Sequence, residues 1–116
     1  MDATVSSLFI YPDPASTGQQ LSTVTIMPDG PAGNRSKKHA VHLVTAAQYV
    51  ADHPKANIVL DMDAALLANL VGRVVRLGEC TLSVTRQPSS CAGVYADVVT
   101  PGDVTVDDRL LVADDA

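Results

Sequence analysis

Arg73-Val74-Val75-Arg76-Leu77-Gly78-Glu79-Cys80-Thr81-Leu82-Ser83-Val84-Thr85 reads as a β-hairpin. Residues 73–77 and 80–85 are two strand-like runs joined by the two-residue loop Gly78-Glu79. Glycine in first place suits a type II′ turn, which needs a positive φ there. Along 80–85, Cys80, Leu82 and Val84 share one face, while Thr81, Ser83 and Thr85 share the other. That two-residue period marks a strand with one face buried.

Working outward, Pro88-Ser89-Ser90-Cys91-Ala92-Gly93 is a polar, turn-prone break before a further strand over 94–100. Pro101-Gly102 predicts a turn, 104–106 a strand, Asp107-Asp108 a turn and 110–112 the last strand, with 113–116 expected to fray. Upstream, 5–11 predicts a first strand, ended by Pro12 and Pro14. Residues 21–27 alternate Leu21, Thr23, Thr25 with Ser22, Val24, Ile26, which fits a half-buried strand. Residues 28–39 hold two prolines, two glycines, Asn34 and three cations, so a long loop is expected there. Long loops are where function concentrates.

Residues 41–44 predict a short apolar strand. Thr45-Ala46-Ala47-Gln48 has the form of a capping box, with Thr45 as N-cap and Gln48 reaching back. That helix should run to Asp52 and stop before Pro54, because a residue preceding proline is pushed out of the helical region. Residues 57–60 predict another strand. Asp63 can cap a second short helix with Leu66, Leu67 and Leu70 on one face, and Gly72 supplies a left-handed position after it. No full-length helices separate the strands, which argues against a parallel βαβ sheet. The expected fold is mainly β, a small closed or nearly closed β-barrel with one or two short helices, in a single domain over 1–116.

Composition agrees. The chain has 116 residues, 47% hydrophobic but only 3% aromatic, so Val, Leu, Ile and Ala must fill the interior. A chain of this size buries roughly 65% of its unfolded surface and can fold without staples. Its two cysteines do not make a disulfide framework. The net charge of −5 argues against nucleic acid, whose binding rests on cations against phosphates, and against an anionic membrane surface. Met1-Asp2-Ala3-Thr4 lacks a positive region followed by an apolar run, and no stretch of about 20 apolar residues occurs. The expectation is a cytoplasmic protein in a reducing compartment.

Chemistry-bearing residues are few. Cys91 is the one thiol in a loop, and only a thiolate is nucleophilic or metal-binding; the alternative is a small apolar residue at a strand start. Cys80 falls in a strand pattern and reads as core. Arg35, Lys37 and Lys38 gather three cations on a Gly-rich loop, either a solvated turn or an anion site. Asn57 either binds a ligand or caps a turn before Ile58. Arg86 either faces the Cys91 opening or is a strand-end charge. His39 and His42, three apart, would point to opposite faces of a strand and make poor joint metal ligands. Zinc spacing, a Ser-His-Asp context and a phosphate-binding turn between strand and helix are all lacking.

In order and spacing the motifs resemble a stand-alone MOSC domain, the module named after the C-terminal part of molybdenum cofactor sulfurases. Leu8-Phe9-Ile10-Tyr11-Pro12 is similar to that family's opening strand. Gly30-Pro31-Ala32-Gly33-Asn34-Arg35 resembles its Gly-x-x-Gly-Asp-Arg loop, with Asn34 replacing the acid. Val41-His42-Leu43-Val44-Thr45 is similar to the strand and helix start that follow. Ala56-Asn57-Ile58 falls where many members have Glu-Asn-Leu or Glu-Asn-Ile, again without the acid. Leu77-Gly78-Glu79-Cys80 with Leu82-Ser83-Val84-Thr85 resembles the barrel hairpin, and Pro88-Ser89-Ser90-Cys91 aligns with the signature cysteine. Val104-Thr105-Val106-Asp107-Asp108 echoes the closing Gly-x-Val-x-x-Gly-Asp pattern, with Asp107 in place of Gly.

The resemblance implies a β-rich barrel that holds molybdenum cofactor or carries sulfur through Cys91. Cys91 would be both the catalytic thiol and the metal ligand. Arg35 would meet an anionic part of the pterin, with Asn34, Lys38, Asn57 and Arg86 as further cofactor contacts. Electrons or sulfur would come from a redox or sulfur-donor partner. The competing expectation is a non-enzymatic β-barrel, a binding or regulatory module that has lost the cysteine chemistry. Asn34 and Ala56, standing where the family has acids, motivate it.

Overall fold

A computed structural model describes residues 3–13, 15, 17–35 and 39–113. Lys37, Lys38, Pro14 and the tail 114–116 lie outside the described residues. The hairpin forms as the sequence expects. Strand β7 (Val74–Leu77) pairs antiparallel with β8 (Cys80–Arg86), and Leu77 faces Cys80 across the turn. Gly78 has the positive φ, +60°, that the turn demands. On β8, Cys80, Leu82 and Val84 are buried while Thr81 and Ser83 are half-buried and Thr85 is exposed, so the alternation sets which face becomes core.

The hairpin extends on both sides into one large sheet. In chain order the other members are β1 (Thr4–Ile10), β2 (Gln19–Leu21), β5 (Val41–Thr45), β6 (Ile58–Asp61), β9 (Val94–Thr100) and β11 (Leu110–Val112). A second sheet takes β3 (Thr23–Met27), β4 (Gly30–Pro31) and β10 (Gly102–Thr105). The large sheet runs β11-β7-β8-β9-β5-β6-β1-β2 and the small one β10-β3-β4.

The large sheet is a curled half-barrel, which corrects the expectation of a closed or nearly closed barrel. Its two sides meet at the single bridge Thr4–Arg109, with Val5 N–H donating to Asp108 O at 2.9 Å and Leu110 N–H to Ala3 O at 2.9 Å. No ladder continues from there, because the same edge of β1 is already paired at residues 8–10 with β2.

Three local expectations change. The run 21–27 is divided at Ser22, where the chain leaves one sheet for the other and the Ser22 carbonyl accepts from Val106 N–H at 3.0 Å. The expected loop 28–39 contains β4, a two-residue strand that turns back antiparallel onto β3. One parallel pair does occur: β5 and β6 run side by side, joined by the seven-residue helix α1 (Ala46–Asp52), although every other strand pair is antiparallel. A short helix is enough for this crossover because the irregular residues 53–57 complete it.

Helix α1 starts with the predicted capping box: Gln48 N–H donates to Thr45 Oγ1 at 3.2 Å and Thr45 N–H to Gln48 Oε1 at 2.9 Å. Helix α2 (Ala64–Ala68) starts on Asp63, whose Oδ1 accepts from Ala65 N–H at 2.8 Å.

The two faces of the sheet differ. Val5, Leu8, Val41, Leu43, Ile58, Leu60, Val75, Leu77, Leu82, Val94 and Ala96 pack on the inner face in a cluster of aliphatic side chains and Cys80. Each fully buried Leu, Ile or Val there contributes roughly 1.5–3 kcal/mol. The outer face carries a smaller cluster, Val44, Ala56 and Val59, with Phe9 and Tyr49 packed against it. Among the described residues no helix is long and apolar enough to cross a membrane.

Candidate functional site

Between β8 and β9 the chain leaves regular structure for residues 87–93, the polar break seen in the sequence. Cys91 is exposed there, two residues before Gly93, and is not at the start of β9. Cys80 is buried in the inner cluster. Burial pushes its thiol up to about 11, and nearby Asp108 adds to the rise. At neutral pH Cys80 is therefore a protonated, inert core residue, and Cys91 is the accessible sulfur.

Two contacts hold the Cys91 segment to strand β5. The His42 ring nitrogen Nε2 lies 2.7 Å from the carbonyl oxygen of Ala92. Gly93 sits against the β5 backbone with φ +86°, where a Cβ would stand 2.1 Å from Leu43 O. Only glycine permits that approach in that conformation.

His42 is only 4% exposed. Strand alternation points Val41 and Leu43 inward and turns His42 and Val44 to the outer face. Its backbone is tied to Asn57: Asn57 N–H donates to His42 O at 2.9 Å, and His42 N–H donates to Asn57 Oδ1 at 3.1 Å. Asn57 Nδ2 donates to Phe9 O at 3.3 Å. Asn57 is thus buried and bridges β5 to β1 just before β6 begins, with both ends of its amide committed to backbone.

The Gly-rich loop packs at the same end of β1, just past Ile10. Asn34 Oδ1 accepts from Tyr11 N–H at 2.7 Å and Asn34 Nδ2 donates to Arg35 O at 3.2 Å. Arg35 N–H donates to Tyr11 O at 3.0 Å. Arg35 Nε is buried without a hydrogen-bond partner, the one such side-chain atom among the described residues. Such an orphaned donor costs energy and invites an acceptor. Burial, with Tyr49 adding to it, raises the Tyr11 hydroxyl to about 12, so it stays protonated.

The inner cluster contains no ring; the outer face collects them. Phe9 stacks on Tyr49 with centroids 5.1 Å apart, and His53 meets Tyr49 edge-on at 5.5 Å. His39 lies flat on Tyr95 at 4.1 Å and 9°, and His42 tilts against the same ring at 5.0 Å. The expectation that His39 and His42 diverge is therefore corrected. It assumed a strand through both, but β5 begins at Val41, so both rings reach Tyr95. Among the described residues no group of three or more His, Cys, Asp or Glu could hold a metal ion.

Of the residues singled out from sequence, Asn57 leads by hydrogen bonds through His42 to the Ala92 carbonyl, while Asn34 and Arg35 form a separate group bonded to Tyr11. Arg86 is exposed at the end of β8, opposite Tyr95, where the chain enters the Cys91 segment. Lys38 lies outside the described residues. Sequence reasoning missed His42 and Tyr95 as supports of this segment. The available signal was their outward register beside the inward-facing Val41, Leu43 and Val94. No pocket opens among the described residues.

No protein-family model matches the chain, and no curated protein matches it in sequence. Solved structures do match. One, a crystal structure described as that of a hypothetical protein, has a TM-score of 0.77 at 15% identity, covering 97% of this chain and 66% of that one. The chain thus spans just under two thirds of that protein. The YuaD protein from Bacillus subtilis has a TM-score of 0.75 at 13% identity, covering 97% of this chain and 96% of its own. YiiM from Escherichia coli has a TM-score of 0.75 at 15% identity, covering 97% of this chain and 70% of its own. At these identities the likeness is one of fold alone.

Proposed function

We propose that this chain is a MOSC-like module that holds molybdenum cofactor through the Cys91 thiolate, with Arg35 on an anionic part of the pterin, and that it works with a redox or sulfur-donor partner. The observation that carries this reading is the exposed Cys91 in a MOSC-like fold, on a segment tied to β5 and clear of the core.

The donor set suits the group at two points. A thiolate is a soft ligand for molybdenum, and the buried, unpartnered Arg35 Nε lacks the acceptor that a phosphate oxygen would supply. Asn34 and Asn57 have their amides committed to backbone and serve by fixing the loops. When bound, the cofactor supplies two-electron redox chemistry at molybdenum. The chain's own part is to present one thiol and one guanidinium from fixed loops.

A second reading is favoured by one observation. Cys91 is exposed and no pocket opens among the described residues, which suits a thiol that receives sulfur as a persulfide and hands it to a partner. A binding or regulatory module without cysteine chemistry is the reading left if Cys91 does neither.

Alkylation of Cys91 separates the three. Cofactor released from a donor protein is expected to slow alkylation in the wild type and to protect Arg35→Gln far less. Polysulfide treatment that adds one sulfur at Cys91, without any protection by cofactor, supports sulfur carriage. Neither effect, in a folded sample, leaves the regulatory module.

A further inference from the structure

We propose that His42 is the positioning residue for the Cys91 segment, acting as a latch from strand β5 to the carbonyl next to the thiol. The inference deepens the reading of Cys91 as the functional thiol and rests on it.

The geometry fixes the chemistry of the latch. A carbonyl oxygen only accepts, so the 2.7 Å contact between His42 Nε2 and Ala92 O requires the proton on Nε2. In the neutral ring this selects the Nε2–H tautomer. The bond spans fifty residues of chain, so it reports tertiary structure. Among the described residues no other hydrogen bond is found for residues 88–92. The segment therefore owes its position to this bond and to the close seat of Gly93 on Leu43.

The ring is itself held in place. Tyr95 lies directly across from His42 in the β5–β9 ladder, and its ring touches His42 on one side while His39 stacks upon it. Asn57 secures the His42 backbone on both N–H and C=O. A side chain that is 4% exposed, fixed from two neighbouring strands, has few other rotamers open to it. Its hydrogen bond to the loop falls on the Ala92–Gly93 peptide group, one residue past Cys91. Releasing it loosens the segment that carries the thiol and leaves the inner face of the sheet untouched, since the aliphatic cluster lies on the opposite face.

The test compares His42→Phe, which keeps a ring against Tyr95 but cannot donate, with His42→Gln, whose amide can. Backbone nitrogen-15 order parameters over residues 89–93 are the readout, with the Cys91 alkylation rate measured beside them. Losing the bond to the Ala92 carbonyl should lower them from about 0.85 to below about 0.6 in His42→Phe, while amide exchange in β7 and β8 stays as in the wild type. His42→Gln should restore most of the order. Unchanged order parameters in His42→Phe, or an equal fall in both variants, overturns the proposal.

Should His42→Phe fail to fold, nitrogen-15 chemical shifts of the wild-type imidazole decide the matter. A protonated Nε2 supports the latch, and a neutral ring protonated on Nδ1 alone overturns it. None of these readouts depends on bound molybdenum or on sulfur transfer. A latch found in a protein that binds neither would overturn the proposed function and leave the latch standing.

Discussion

Replacing Asn57 by Ala should cost more than any other polar substitution in this chain. Asn57 is 2% exposed, and its side chain bonds as a strand backbone would, with Oδ1 accepting the His42 N–H at 3.1 Å and Nδ2 donating to the Phe9 carbonyl at 3.3 Å. Alanine leaves both groups unpaired beside the buried residues Val41, Leu43 and Leu8. Each unpaired buried group costs about 1–3 kcal/mol, so the loss should be about 2–6 kcal/mol. That is a large part of the ~5–15 kcal/mol by which domains are stable. The chain has no Trp, so urea unfolding is best followed by far-ultraviolet circular dichroism. With a slope of about 2 kcal/mol per molar urea, the midpoint should fall by roughly 1–3 M at an unchanged slope. Exchange of the His42 amide should accelerate with it. A loss below ~0.5 kcal/mol, the range of an ordinary surface change, would refute the reasoning and return Asn57's amide to the pool of ligand contacts.

Three further outcomes are expected. Gly93→Ala puts a Cβ 2.1 Å from Leu43 O in a residue with φ +86°, and should cost at least ~2 kcal/mol by urea unfolding while displacing the Cys91 segment; wild-type stability would contradict the packing described. Thr45→Ala removes the N-cap of α1 and should cost about 1 kcal/mol in the same assay, with no change meaning that the helix does not depend on its cap. Cys80 ionises near 9.0 when unconstrained and at about 11 in the fold, so as pH rises past 9 the unfolded chain loses its proton first; its contribution to stability should decline between pH 9 and about 11, and Cys80→Ala should show a shallower decline across that window than the wild type.

The strand-and-turn order was legible wherever a local rule acts alone. The Gly78-Glu79 hairpin, the Thr45–Gln48 capping box, the Asp63 cap and the bounds of β9 are all short-range effects. Asp107 shows the same logic under strain: it stands where the resembling family has glycine and holds φ +80°, which Asp tolerates better than most residues. What failed was tertiary. The alternation of 21–27 runs through Ser22 unbroken, so nothing local marks the passage between sheets. The parallel β5–β6 pair was missed because a helix of seven residues looked too short to make a crossover.

At the candidate site the exposure of Cys91 followed from its turn-prone neighbours. The roles of Asn57 and His42 did not, because their partners Phe9 and Ala92 lie 48 and 50 residues away. The burial of the polar residues His42, Thr45 and Asn57 on or beside β5 is likewise a property of the assembled sheet.

Molybdenum content is the most direct test of the proposed function. The protein, expressed in a host that makes the cofactor, would be purified and its molybdenum measured per chain, with Cys91→Ala prepared in parallel. The account predicts close to one molybdenum per wild-type chain and almost none in the variant. Equal molybdenum in both, or none in a folded wild type, would contradict it.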